Sequence, residues 1–257
     1  MTDILNIKNS IENNKMLIAY QPIISSKTKK VCSVESLLRF ENQDYNSRIK
    51  EIITIAEDLN LIDKITYFMF DNIIQDYEDW YNQGSIDENF KISINISPFM
   101  LKKELVNILE EKLINKRIKN NNIIIEISGT TKLKEEKQNI IEYLNNKKFN
   151  IALDDFGIGD SLLSNLVKIP YQILKIDKSF MQDIETNNLN SDIMNLIISL
   201  SSKQNFKVIC EGIETDQQAK LLEKMNCEYQ QGFLYSKPVF KKDLLNTIKN
   251  LENKKSH

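Results

Sequence analysis

The sequence predicts an α/β protein of the (β/α)8 barrel class, folded as a single domain over residues 1–257. Short apolar runs recur about eight times, amphipathic helical patterns separate most of them, and about 250 residues is a usual length for such a barrel. A doubly wound open sheet is the competing arrangement. No linker rich in Pro, Gly or Ser divides the chain, which holds only 6 Gly and 4 Pro. No internal repeat or low-complexity tract interrupts it.

The elements follow in order. "ILNIKNSIENN" places Ile4, Ile7 and Ile11 on one helical face, and "MLIAYQPII" after it reads as a strand. The later strand-like runs are "VCSVESLLRF", "KISINIS", "NIIIEIS", "FNIALDD", "QILKID", "FKVICE" and, more weakly, "EYQQGFLY". Helical periodicity covers 49–59, 62–82, 98–117, 132–147, 188–204, 215–225 and 240–252. Trp80 and Tyr81 end the second of these as core or interface residues. "NKRIKNNN" (115–122) reads as a helix end and loop, and "ENKKSH" as a solvated terminus.

Apolar residues make up 41% and charged residues 27%, with a net charge of −2, an ordinary globular balance that gives no sign of a nucleic-acid polymer partner. No apolar run approaches the ~20 residues of a membrane span. The 3 cysteines, Cys32, Cys210 and Cys227, form no CxxC pair and read as small buried hydrophobes. Their odd number, with no signal peptide, predicts a cytoplasmic setting. The single histidine is the terminal His257, which removes histidine bases and histidine-ligand sites from consideration.

The functional signal lies inside the apolar runs. In "KISINIS", Ser93, Asn95 and Ser97 oppose Ile92, Ile94 and Ile96. The same alternation turns Glu126 away from Ile125 and Ile127, and puts Lys175 and Asp177 on one face. Glu35 lies within "SVESLL", Asp154 and Asp155 end "IALDD", and Glu211 and Glu214 follow "VIC". Any one of these reads more simply as a hydrogen-bonded or solvated polar residue. Together, at barrel strand ends that converge on one pocket, they read as a site.

That many carboxylates against Lys175 cannot all stay ionised unaided, because desolvation and mutual repulsion favour the neutral forms. A divalent cation resolves this. Oxygen donors without histidine or cysteine favour Mg2+ or Mn2+, with Ca2+ as competitor, over Zn2+. Two ions about 4 Å apart suit in-line hydrolysis of a phosphodiester, with a lysine to hold the water or developing charge. The residues alone thus predict a metal-dependent phosphoester hydrolase. The block Gly159-Asp160-Ser161-Leu162 also spells a serine-esterase motif, but a serine nucleophile there lacks a histidine base. Gly157 and Gly159 read as turn residues rather than as a complete GxGxxG.

The runs "YQPII" (20–24), "VESLLRF" (34–40), "SINIS" (93–97), "IIEIS" (124–128), "LDDFGIG" (153–159), "LKID" (174–177), "CEGIE" (210–214) and "QGF" (231–233) resemble, in order and spacing, the EAL domain family of bacterial cyclic-di-GMP phosphodiesterases. The resemblance covers about 16–245 and implies a modified TIM barrel. It implies metal ligands at Glu35, Asn95, Glu126, Asp154 and Asp155, with Glu211 as ligand or general base. It implies a water-positioning role for Lys175, supporting roles for Glu214 and Gln231, and nucleotide contacts for Gln21 and Arg39. Asp177, in "LKID", is placed with the substrate-binding residues. The reaction implied is opening of cyclic-di-GMP to linear pGpG with Mg2+ or Mn2+, two ions being expected and Ca2+ inhibitory. A homodimer and a sensory or GGDEF partner domain are further implications.

The chain departs from the family pattern in one place. Where the family reads D-D-F-G-T-G-Y-S-S-L, this chain has Ile158, Asp160 and Leu162 for Thr, Tyr and Ser, and Gly129 where a loop-anchoring glutamate is usual. Weak or conditional turnover is therefore an expectation. The alternatives are a receptor that binds cyclic-di-GMP and signals through protein contacts, and an interaction module without nucleotide.

Overall fold

The computed structural model describes residues 2–130, 132–157, 166, 168–182, 184–186 and 188–253. The departing block at Ile158, Asp160, Ser161 and Leu162, with Gly159 and His257, lies outside the described residues.

Strand β1 (Met16–Ser25) turns back antiparallel onto β2 (Val31–Phe40), so that Gln21 faces Glu35. From β2 the sheet runs parallel through β3 (Lys91–Asn95), β4 (Ile123–Ser128), β5 (Asn150–Phe156), β6 (Ile173–Ile176), β7 (Lys207–Cys210) and β8 (Tyr229–Gln230). Pairing of β8 with β1, again antiparallel, closes the ring, and β9 (Val239–Phe240) adds along the same edge of β1, the opposite edge being taken by β2. The result is a modified TIM barrel: the reversed β1 is the modification. Strands β2 to β8 are linked by crossovers, as parallel neighbours require.

The helices are α1 (Thr2–Glu12), α2 (Ile49–Asp58), α3 (Ile62–Asn82), α4 (Lys103–Lys112), α5 (Glu135–Asn146), α6 (Asn188–Gln204), α7 (Asp216–Lys224) and α8 (Lys241–Asn253). The ranges 62–82 and 188–204 match the sequence reading, whereas 98–117 is corrected. Ser97 caps a short 3-10 turn at Pro98–Met100, and Leu101 leaves helical geometry before α4 begins. The other end stops early, and Asn115 adopts a left-handed conformation just beyond it. The helix over Thr2–Glu12 agrees with the apolar face read from Ile4, Ile7 and Ile11, of which Ile7 and Ile11 are fully buried and Ile4 is 46% exposed.

The core has two shells. Outside the barrel, Trp80 of α3 is buried with its ring edge-on to Tyr20 of β1 at 4.9 Å. The Tyr20 hydroxyl donates to the Asp76 carboxylate, which also pairs with Lys241 at 2.7 Å. Cys210 and Cys227 pack here as buried free thiols, while Cys32 is only half-buried. Inside the barrel, Ile23, Ile124, Ala152, Ile173 and Ile209 form a separate hydrocarbon floor.

Candidate active site

Period-2 alternation converts that floor into a site. Two residues beyond Ile124, Ala152, Ile173 and Ile209 toward the C-terminal barrel end come Glu126, Asp154, Lys175 and Glu211. On the reversed β1 the polar residue precedes its floor partner instead, as Gln21 precedes Ile23. One strand period thus separates an apolar layer from a charged one.

Lys175 is fully buried at the centre of the charged layer. Its ammonium lies 2.7 Å from Glu211 Oε1, 2.8 Å from Glu126 Oε2, 3.2 Å from Asp154 Oδ1 and 3.3 Å from Glu35 Oε2. Glu35 also accepts from Asn95 Nδ2 at 3.1 Å and from Gln231 Nε2 at 2.7 Å. Gln231 Nε2 lies 3.2 Å from Gln21 Oε1, which ties the end of the chain to its beginning.

These contacts split the carboxylates. Burial pushes the Glu35 carboxyl up, but the Lys175 charge and the Gln231 and Asn95 hydrogen bonds outweigh it and hold Glu35 below the usual range. Burial and the neighbouring Glu35 push Glu126 well up. Burial also raises Asp154 despite Lys175, with Glu35 and Asp155 adding to the rise. Glu211 is pushed up to about 8 by burial, Lys175 opposing it and Asp154 and Glu35 reinforcing it. Burial works against the Lys175 charge, but Asp154, Glu126, Glu211 and Glu35 together hold the ammonium in place.

With all four carboxylates ionised, one ammonium leaves negative charge uncompensated, and the geometry shows where a cation would offset it. Oxygens of Glu35, Glu126 and Asp154 lie within 4.8 Å of one another. Among the described residues, Glu126 Oε1 is buried and accepts no hydrogen bond, and Asp154 Oδ1 has the Lys175 ion pair but no hydrogen bond. Unpartnered buried oxygens of this kind fit a hard divalent cation, which asks for several oxygen ligands. Asn95 presents its amide beside Glu35, so its carbonyl oxygen is a further neutral donor.

Asp155 completes the acidic pair by a backbone irregularity. The register of β5 on β6 slips between Leu153 and Phe156, and Asp155 adopts a left-handed φ of 57°. Bulges of this kind re-aim side chains beside active sites. Gly157 follows with φ 112°, and a Cβ there would overlap the Phe180 ring, so the turn assigned to it from sequence is real. Gly129 lies against the same bend: its N–H donates to the Asp154 carbonyl at 2.7 Å, and an added Cβ would approach that oxygen to 3.0 Å. The absent side chain at Gly129 therefore permits β4 and β5 to meet directly behind Asp154.

A cavity of about 730 Å3 opens above the cluster, of a size that suits a small organic ligand. The residues given metal, catalytic or substrate roles from the sequence line it except Lys175, which lies beneath. Arg39 is half-buried there and donates to the Leu38 carbonyl at 2.7 Å. Asp177 accepts from Ser179 N–H at 2.8 Å and so caps the turn after β6. Glu214 sits at the rim, its backbone N–H bonded to Gln218. Sequence reasoning gave no role to Phe233 or Lys50, which also line the cavity. Phe233 is 55% exposed, with the Lys237 ammonium 5.5 Å from its ring centre. An exposed aromatic directly after a site Gln-Gly was its legible signal.

Metal removal provides a test independent of turnover. A carboxyl raised from 4.5 to about 8 holds a proton in the fold that the unfolded chain releases. Stability from Glu211 is therefore complete below about pH 4.5 and drains as pH rises through about 8; Glu126 and Asp154 act in the same direction, Glu35 oppositely. In chelator, the melting temperature is expected to fall between about pH 5 and about pH 8. Mg2+ or Mn2+ is expected to raise it, most strongly at the upper end. A melting temperature indifferent to both pH and metal would remove the cation site.

A barrel whose strand ends focus carboxylates and one lysine on a ligand-sized cavity defines an α/β-barrel protein with an acidic cluster that could hold a metal ion. The EAL domain profile matches residues 5–238, and the chain belongs to that family. It is 30% identical over 237 residues to the signaling protein YkoW of Bacillus subtilis, covering 91% of this chain and 29% of that protein. It is 30% identical to the probable cyclic di-GMP phosphodiesterase PdeB of Escherichia coli, covering 93% of this chain and 46% of the relative. The chain thus spans less than half the length of these curated relatives. Among solved structures it superposes on the EAL enzyme Bd1971, bound to cAMP and cyclic-di-GMP, with a TM-score of 0.89, 27% identity and coverage of 96% of this chain and 68% of that one. The MucR phosphodiesterase in complex with c-di-GMP gives a TM-score of 0.83 at 25% identity, covering 94% and 99%. No helix among the described residues is long and apolar enough to cross a membrane.

Proposed function

We propose that the chain is a metal-dependent phosphodiesterase that opens cyclic-di-GMP to linear pGpG. The observation that carries this reading is the unpartnered oxygen of Glu126 beside Glu35 and Asp154, beneath a cavity of ligand size. Glu35, Asn95, Glu126, Asp154, Asp155 and Glu211 would hold two Mg2+ or Mn2+ ions. Bound there, the ions supply Lewis-acid charge to the phosphate and acidify water, and Ca2+ is expected to occupy the site without supporting turnover.

The chain's own groups supply the rest. Glu211, raised by burial, is a proton acceptor at the water that attacks phosphorus. The Lys175 ammonium holds that water or the charge developing on phosphate. Gln231 and Asn95 fix the Glu35 carboxylate by hydrogen bonds. Gln21, Arg39, Asp177 and Glu214 shape the nucleotide-facing walls, and Phe233 offers an exposed ring on which a guanine can stack.

The test is purified chain incubated with cyclic-di-GMP in Mg2+, Mn2+ or Ca2+, followed by chromatography of the nucleotides. Linear product in Mg2+ or Mn2+ and none in Ca2+ is expected, at a modest rate given Gly129 and the altered 158–162 block. Tight binding without product in any metal would replace the enzyme by a receptor, and no binding would remove the nucleotide altogether. The family reading also brings a homodimer and a sensory or GGDEF partner domain, and light scattering on the same preparation tests the dimer.

A further inference from the structure

Lys50 stands out on α2. The cavity is walled on this side by Ile49, Lys50, Ile53, Thr54 and Glu57, spacings that place them on one helical face. Lys50 lies in the first turn of that helix, where the helix dipole disfavours a cation, so helix stability does not account for it. The preceding cation, Arg48, is engaged by Glu51 at 2.6 Å and Asp3 at 2.9 Å. Lys50 instead extends to the cavity, its side chain 88% exposed, and reaches Asp155 Oδ2 at 3.5 Å.

The other cations at the site are placed differently. Lys175 is enclosed by four carboxylates, and Arg39 is half-buried against the Leu38 carbonyl. The Lys178 side chain packs over Gly212, where an added Cβ would come within 2.2 Å of its own Cβ. Among the described residues, Lys50 is the cation in ion-pair contact with the candidate cluster that also projects into solvent. A long, exposed ion pair of this kind is weak and readily exchanged for a better anion.

We propose that Lys50 is a positioning residue for an anionic substrate. Its ammonium leaves Asp155 and takes a phosphate oxygen of the incoming cyclic dinucleotide at the cavity mouth. The exchange does two things at once: it guides the phosphate toward the carboxylate cluster and frees Asp155 for a cation. This inference rests on the phosphodiesterase reading, and its test separates the two.

Binding of cyclic-di-GMP in Ca2+ is measured by calorimetry at low and high salt for the wild type, Lys50→Met, Lys50→Arg and Lys64→Met, the last an exposed lysine away from the cavity. Lys50→Met is expected to raise Kd about tenfold at low salt and to flatten the salt dependence. Lys50→Arg should recover most of the affinity, and Lys64→Met should match the wild type. In turnover, the loss should fall on KM rather than on kcat. Equal Kd for the wild type and Lys50→Met overturns this inference alone, whereas a wild type that does not bind the nucleotide overturns the phosphodiesterase reading with it.

Discussion

Lys175→Met is expected to abolish turnover and to destabilise the metal-free chain, yet to recover much of its stability when Mn2+ is added. The ammonium is fully buried and holds four carboxylates within 3.3 Å. Removing one partner of a buried ion cluster costs about 3–5 kcal/mol, because the remaining charges are left unpaired and desolvated. The carboxylates can recover part of this by taking up protons, so the loss should be smaller at low pH than at neutral pH. Divalent cations compensate the same charges, which is why stability should return with metal while chemistry does not. Loss of the group that holds water or developing charge should lower kcat by about a hundredfold or more. Melting curves in chelator and in Mn2+, paired with nucleotide chromatography, check both halves. Full activity, or identical melting in both buffers, would show that Lys175 is a passive core residue.

Glu211→Gln separates proton transfer from architecture. The amide keeps the size of the side chain but cannot accept the proton, so kcat should fall about 10^2- to 10^4-fold. Nucleotide affinity in Ca2+ should change far less. The substitution also removes a carboxyl whose protonation is linked to folding through about pH 8, so the variant should lose less stability than the wild type as pH rises to neutrality without metal. Retained turnover would reassign Glu211 as a dispensable ligand and move the base elsewhere.

The strands and the polar residues that gather at the candidate site are legible for one shared reason. A polar residue within an apolar run, at period 2, must face the barrel interior, and Glu126 and Lys175 show that rule without tertiary information. The direction of β1 is set locally: the link between Ser25 and Val31 is too short for a parallel crossover, so "MLIAYQPII" turns back antiparallel on β2, and only its seam with β8 depends on residues far along the chain. The two-residue β9 is too short to show any period. Helix 98–117 was overread because Ser97 and Pro98 start a turn as readily as a helix. Asp155 was legible as a carboxylate but not as a left-handed residue on a bulge, which is what brings it within reach of Lys50. Lys50 itself was hidden because its partner is contributed by a different strand, 105 residues away.

The closing of the ring sets an order on the birth of this protein. Ile24 pairs with Gln230 and Tyr20 with Val239, and the Gln21–Gln231 contact spans 210 residues. A ribosome releases the first hairpin early, yet the outer edge of β1 must wait for almost the whole chain before it has a neighbour. Through that interval the barrel is an open crescent with an unpaired strand edge, the state most exposed to misassociation. The pocket is completed by the barrel elements that emerge latest, among them Gln231 and Phe233. A chain ended before Tyr229 would therefore lack the seam itself, so that the geometry of closure checks the completeness of the barrel.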